Sequence, residues 1–175
     1  DEYDIKIIFD YLKIRKNNSK LIFVPHEPDE KLIINIEKKL KELSIDSIRF
    51  SNMTNNLNQD NLDAIIIDKV GILADAYQFS SISYIGCGFG KGVHNVMEPA
   101  IYGNLICFGP NYQILDEAIE LVNEKLAIPI NNSNELIKVL DLIFEEDTLE
   151  QYKNGLKKFI SKKQNISNQI LRDIL

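Results

Sequence analysis

The 175 residues, 45% hydrophobic and 26% charged, suffice for one globular domain with a sizeable core. A formal net charge of −6, from 20 basic and 26 acidic residues, leaves no basic surplus for phosphates and argues against nucleic acid as the main partner. No apolar run reaches the roughly 20 residues of a membrane span, and no secretory signal is visible.

Short β-rich apolar runs alternate with segments of helical period along most of the chain. Asp4–Ile14 has helical spacing, and Leu21–Val24 is the first strand, ending at Pro25-His26. A helix over Asp29–Leu43 leads to a strand at Ser47–Phe50 and an Asn-rich polar connection, Asn52–Asn61. The strand Ala64–Ile67 stops at Asp68, and a helix is expected over Gly71–Phe79. Next come a strand at Ile82–Ile85, a glycine-rich loop, and a helix over Val96–Tyr102. Leu105–Phe108 is a strand ending at Gly109-Pro110, followed by a helix over Ile114–Asn123 and a strand at Ala127–Ile130. A helix over Asn134–Phe144, an acidic turn at Glu145-Glu146-Asp147-Thr148, and helical stretches Leu149–Lys163 and Ile166–Leu175 close the chain.

Strands that are apolar throughout belong in parallel sheets covered by helices on both faces. The alternation therefore predicts an α/β fold, a doubly wound, mostly parallel, Rossmann-like sheet flanked by helices. Such sheets bind ligands at the carboxyl ends of their strands. Pro25-His26, Asp68, the glycine loop and Gly109-Pro110 all fall at that edge.

The stretch from Tyr84 to Ala100 carries the strongest chemical signal. Gly86, Gly88, Gly90 and Gly92 remove side chains at alternate positions, so the backbone can turn sharply or approach a ligand. Asn95 and Glu98 have capping-box spacing, and Pro99 is tolerable only near a helix start. Backbone N–H groups there, with Lys91 and His94 beside them, suit a phosphate. The spacing equally allows a small-residue turn. It matches neither a dinucleotide fingerprint nor a P-loop, since Gly92 follows Lys91 where Ser or Thr would be needed.

The other polar residues each have two readings. Glu98 either caps its own helix or accepts hydrogen bonds from a ribose. His26 and His94, the two histidines, sit at strand-to-helix edges without a ligand set for a metal. Asp68 is an N-cap or a ligand contact. Cys87 and Cys107, both in strand-like apolar surroundings, read as reduced buried thiols, which suggests a cytosolic setting. Lys157, Lys158, Lys162 and Lys163 form a solvated helix face or a surface beside an anionic membrane. No nucleophile or general base stands out.

Taken together, Phe23-Val24-Pro25-His26-Glu27-Pro28, Asp68-Lys69-Val70-Gly71-Ile72-Leu73, Gly90–Ala100 and Ile106–Asn111 resemble the C-terminal, donor-binding half of the Kdo transferases, GT-B glycosyltransferases. The His94-Asn95-Val96-Met97-Glu98-Pro99-Ala100 element is the most specific. The resemblance implies transfer of 3-deoxy-D-manno-oct-2-ulosonic acid (Kdo) from CMP-Kdo to a lipid A precursor, for lipopolysaccharide. It implies work at the cytoplasmic face of the bacterial inner membrane without a metal or other cofactor. It also implies that the CMP contacts are Pro25, His26, Val70, Gly71, Ile72, Asn95, Val96, Met97 and Glu98, with Lys91 offsetting phosphate charge. Glu98 would hold the ribose.

Where many relatives have Pro-Arg-His, this chain has Pro25-His26-Glu27, which replaces an arginine contact by a weaker, pH-dependent cation. The chain opens at Asp1, and the resemblance places the first strand of this half, the acceptor-binding half and the general base upstream of it. The expectation is a single donor-binding domain over 1–175, inactive alone, with C-terminal helices from about 147. A GT-B donor domain for a UDP-sugar and a non-catalytic nucleotide-binding α/β module are the competing readings.

Overall fold

Alternating helix and strand propensities are realised in a computed structural model that describes residues 2–14, 19–53 and 62–174. Among the described residues seven helices and six strands follow one another: α1 (Glu2–Ile14), β1 (Leu21–Phe23), α2 (Glu30–Glu42), β2 (Ser47–Arg49), β3 (Ala64–Ile66), α3 (Leu73–Ala76), β4 (Ile82–Ile85), α4 (Met97–Ile101), β5 (Leu105–Phe108), α5 (Asp116–Asn123), β6 (Ala127–Pro129), α6 (Ser133–Asp141) and α7 (Glu146–Ile174). Single 3-10 turns lie at Phe50–Asn52, Tyr77–Phe79 and Leu142–Phe144. The polar connection expected at 52–61 lies outside the described residues from 54 onward, as do Asp1 and Leu175.

The chain divides into two compact units, Leu12–Ala76 and Asp1–Tyr11 with Tyr77–Leu175. In the first, the parallel order is β1-β3-β2, with Phe23 and Arg49 both level with Ile66. Asp29 caps α2 by accepting from the amides of Lys31 (2.8 Å) and Leu32 (3.2 Å). The helix buries Ile33, Ile36 and Leu40, one stripe at helical spacing. Arg49 at the end of β2 reaches the Glu37 carboxylate at 2.7 Å and Glu30 at 2.9 Å, tying strand to helix.

The second unit has the parallel order β4-β5-β6. Its core joins Val93, Val96 and Ala100 to Ile106, Phe108, Ala118, Leu121, Leu156 and Phe159. Only β5 is buried at every position, whereas β1, β2 and most of β4 are half-buried. The expectation of strands buried on both faces thus holds for β5, whereas the equally central β3 keeps Ile65 half-buried.

The two C-terminal helical stretches expected from the sequence are one continuous helix, α7. Two of its lysines pair with acids on α5, Lys163 with Glu120 (2.5 Å) and Lys162 with Glu124 (3.6 Å). The solvated-face reading fits Lys157 and Lys158, which are exposed. No helix among the described residues is long and apolar enough to cross a membrane.

Candidate functional site

The segments singled out in the sequence leave the sheets at strand carboxyl ends. In the first unit, Pro25-His26 follows β1 and Val70-Gly71-Ile72 follows β3, and these strands pair directly in register. The amide of Ile67 donates to the Phe23 carbonyl (2.8 Å), so the ladder continues to the point where both segments depart. His26 and Val70 are exposed, and Gly71 takes the left-handed φ of +85° that turns the chain into α3.

Asp68 does not cap α3. Its carboxylate accepts from the amide of Ser51 (2.9 Å) and, in a short bond, from the Ser51 hydroxyl. Partial desolvation pushes its pKa up, but the Ser51 hydrogen bonds outweigh that and hold the carboxyl below the usual range. Asp68 therefore joins the end of β3 to the turn after β2.

In the second unit the glycine loop follows β4 and Gly109-Pro110 follows β5, again neighbouring in-register strands. The loop is a closed turn. The carbonyl of Cys87 accepts from the amides of Gly90 and Gly92, both at 3.0 Å. A Cβ on Gly88 would overlap the backbone of Gly109, and the reverse holds for Gly109, so the strand ends approach closer than any side chain permits. The amide of Asn111 donates to Gly88 (2.8 Å), its side chain to the Gly90 carbonyl (3.0 Å), and Val93 donates to the Asn111 carbonyl (3.1 Å). The glycine stretch is therefore a closed small-residue turn at the strand ends. Several amides expected to face a ligand are spent within the turn.

Asn95 caps α4 by accepting from the amides of Met97 (3.0 Å) and Glu98 (3.3 Å). Only the forward half of the capping box forms: among the described residues no hydrogen bond reaches the half-buried Glu98 carboxylate. Pro99 fits because it lies in the first turn, the ladder beginning with Ala100 to Val96 (3.3 Å). Lys91, His94 and Asn95 are exposed, Val96 and Pro99 buried, Met97 half-buried. No hydrogen bond among the described residues takes the amides of His94, Asn95 or Val96.

Sequence reasoning missed the groups that hold this loop. Asp4, 3% exposed, accepts from the Tyr84 hydroxyl (2.5 Å) and the Cys87 amide (2.7 Å). Burial, then the bond to Asp4, pushes the Tyr84 phenol far above its usual range, so it stays a donor. A signal existed: Asp4 lies on the stripe of α1 that carries the buried Ile7 and Tyr11. Asn104, 2% exposed, donates through its amide to the Tyr77 carbonyl (3.0 Å), Ser80 (2.6 Å) and Ser83 (2.9 Å). This network carries Tyr77, whose phenol burial and the nearby Glu98 charge push up to about 12.

Both cysteines are free thiols. Cys107 is buried in β5, and burial pushes it up to about 12. Cys87, expected in strand-like surroundings, instead opens the turn with φ +68° and is half-buried. Among the described residues no three His, Cys, Asp or Glu side chains gather as metal ligands would.

Two α/β units, each with a parallel sheet and loops at its strand ends, make a fold shared with a solved domain. The C-terminal CMP-Kdo binding domain of WaaA from Acinetobacter baumannii superposes with a TM-score of 0.66, covering 89% of this chain and 98% of that one at 14% identity. By sequence the chain is similar to several 3-deoxy-D-manno-octulosonic acid transferases. The Rickettsia bellii transferase is 29% identical over 188 aligned positions, covering 91% of this chain and 45% of the relative. A bifunctional glycosyltransferase/methyltransferase of Fusobacterium nucleatum is 30% identical over 152 positions, covering 86% of this chain and 23% of the relative. The chain thus spans less than half the length of these curated relatives, and no protein-family model matches it.

Proposed function

We propose that this chain is the donor-binding domain of a glycosyltransferase that moves Kdo from CMP-Kdo to a lipid A precursor. The observation that carries the reading is the kinship to Kdo transferases across nine-tenths of the chain. It is supported by the chemistry left open at the strand ends. Glu98 presents a carboxylate with no hydrogen bond among the described residues, suited to a ribose diol. Lys91 and the amides of His94, Asn95 and Val96 suit a phosphate. Pro25, His26, Val70, Gly71 and Ile72, with Met97, complete the proposed nucleotide contacts.

In this mechanism CMP departs from the anomeric carbon as an acceptor hydroxyl attacks, through an oxocarbenium-like state. The amides and Lys91 stabilise charge as it develops on the leaving phosphate, with little reorganisation because the loop is already folded. No residue described here is assigned as the general base, and the acceptor is held by another part of the transferase. We place the reaction at the cytoplasmic face of the inner membrane, and without a metal.

Calorimetry on this chain tests the reading. CMP binds, EDTA leaves its affinity unchanged, UDP binds at least about tenfold more weakly, and Glu98→Ala weakens CMP by about tenfold. A UDP-sugar as donor is the second reading, since a Fusobacterium nucleatum glycosyltransferase/methyltransferase is as similar to this chain as the Rickettsia bellii Kdo transferase is. Preference for UDP would establish that alternative. Unchanged affinity in Glu98→Ala would return Glu98 to a helix-start residue alone.

A further inference from the structure

We propose that Asp4 is a positioning residue for the nucleotide edge: its buried carboxylate sets the conformation of the glycine loop that delivers Asn95 and Glu98. The inference deepens the donor-binding reading and rests on it for the ligand, but not for the loop.

A carboxylate 3% exposed is costly to bury unless hydrogen bonds compensate it. Among the described residues Asp4 receives one on each oxygen, from different parts of the strand-to-loop junction. The Tyr84 hydroxyl marks the penultimate residue of β4, and the Cys87 amide opens the turn. Bonds to a charged acceptor are about twice as strong as neutral ones, so this junction is held firmly.

The grip passes along the chain through Cys87 itself. Its φ of +68° is a conformation that a side-chain-bearing residue rarely adopts without compensation. Its amide is held by Asp4, and its carbonyl receives both Gly90 and Gly92. The orientation of one residue therefore decides the whole turn. From Gly92 the chain passes through Val93, pinned to Asn111, directly into the His94-Asn95 cap of α4. Tyr3, one residue before Asp4, stacks on Phe89 of the same turn with ring centroids 5.8 Å apart, a second tie from α1.

Two substitutions separate the possibilities. Asp4→Ala removes both bonds. Asp4→Asn preserves the connection, because its carbonyl oxygen can accept from Cys87 while its amide donates to the Tyr84 oxygen, whose hydroxyl is free to rotate. CMP affinity is measured by calorimetry well below each variant's unfolding temperature, alongside amide hydrogen exchange by NMR without nucleotide. Expected are a loss of CMP affinity of about tenfold or more in Asp4→Ala, and recovery to within about threefold of the parent in Asp4→Asn. The amides of Gly90, Gly92 and Val93 exchange faster in Asp4→Ala, while the β5 amides do not change.

CMP affinity within about twofold of the parent in Asp4→Ala, with loop protection intact, overturns the proposal. So does a uniform loss of protection that includes β5, which would make Asp4 a plain stability residue. If Asp4→Ala does not fold, Tyr84→Phe, which removes one bond and leaves the Cys87 anchor, must show a smaller loss of the same pattern. If the parent binds no CMP, the donor reading fails, and exchange at Gly90 and Gly92 alone decides whether Asp4 sets the loop.

Discussion

Lys125 has φ +58° immediately after α5, where its amide reaches the Val122 carbonyl (3.0 Å) and the next amide reaches Leu121 (2.7 Å). Ser44, φ +56°, ends α2 in the same way, through Lys41 and Leu40. This double bond pattern closes a helix and favours glycine at the left-handed position. A side chain there costs about 1 kcal/mol. Lys125→Gly is expected to raise stability by about 0.5–1 kcal/mol, since relief of strain exceeds the added unfolded-state entropy. Urea denaturation reads it, and a lower midpoint would refute it. Nothing in the local sequence marks Lys125 as strained, because the helix end is decided by the packing of β6 that follows. By contrast Asn95, Pro99 and Asp29 announced their places, since capping chemistry acts within one turn of chain.

Backbone meets backbone where the loops after β4 and β5 cross. The Gly88 and Gly109 backbones leave no room for a Cβ on either. Gly88→Ala should therefore force the two loops apart, at a cost of about 2 kcal/mol or more. The Asn111 bonds to Gly88 and Gly90 should break with it. Thermal unfolding and the Asn111 and Val93 amide shifts measure this, and an Ala variant as stable as the parent would contradict the crossing. Glycine-richness was visible in the sequence, but its cause was not: the partner that demands Gly88 lies 21 positions further along. Asn104 teaches the same lesson at a polar site, since its partners Tyr77, Ser80 and Ser83 come from the approach to β4 and from β4 itself.

For the molecule as a whole, buried weak acids govern the alkaline limit of stability. The Cys107 thiol and the Tyr77 phenol are both pushed up to about 12, mainly by burial. A group whose folded value lies above its unfolded value contributes fully below the unfolded value and loses that contribution as pH rises through the folded one. Stability should accordingly hold up to about pH 9 and fall from there toward pH 12. Cys107→Ala is expected to flatten the part of that fall between about pH 9 and 11, read from denaturation midpoints under reducing conditions. An unchanged slope would show that the thiol gains no extra ionisation on unfolding.

Element order, parallel strands and the strand-end placement of His26, Val70 and Asn95 were legible because each depends on short-range patterns: apolar period, turn residues and caps. Three things needed the fold. One is which lysines are spent, since Lys162 and Lys163 answer to acids on α5. Another is which amides stay open, since Cys87 and Asn95 consume several within the loop. The last is which buried carboxylate holds the loop, Asp4, some 80 positions before its partners. Hydrogen bonds and ion pairs between distant segments leave no periodicity in a chain, so only chain folding selects them.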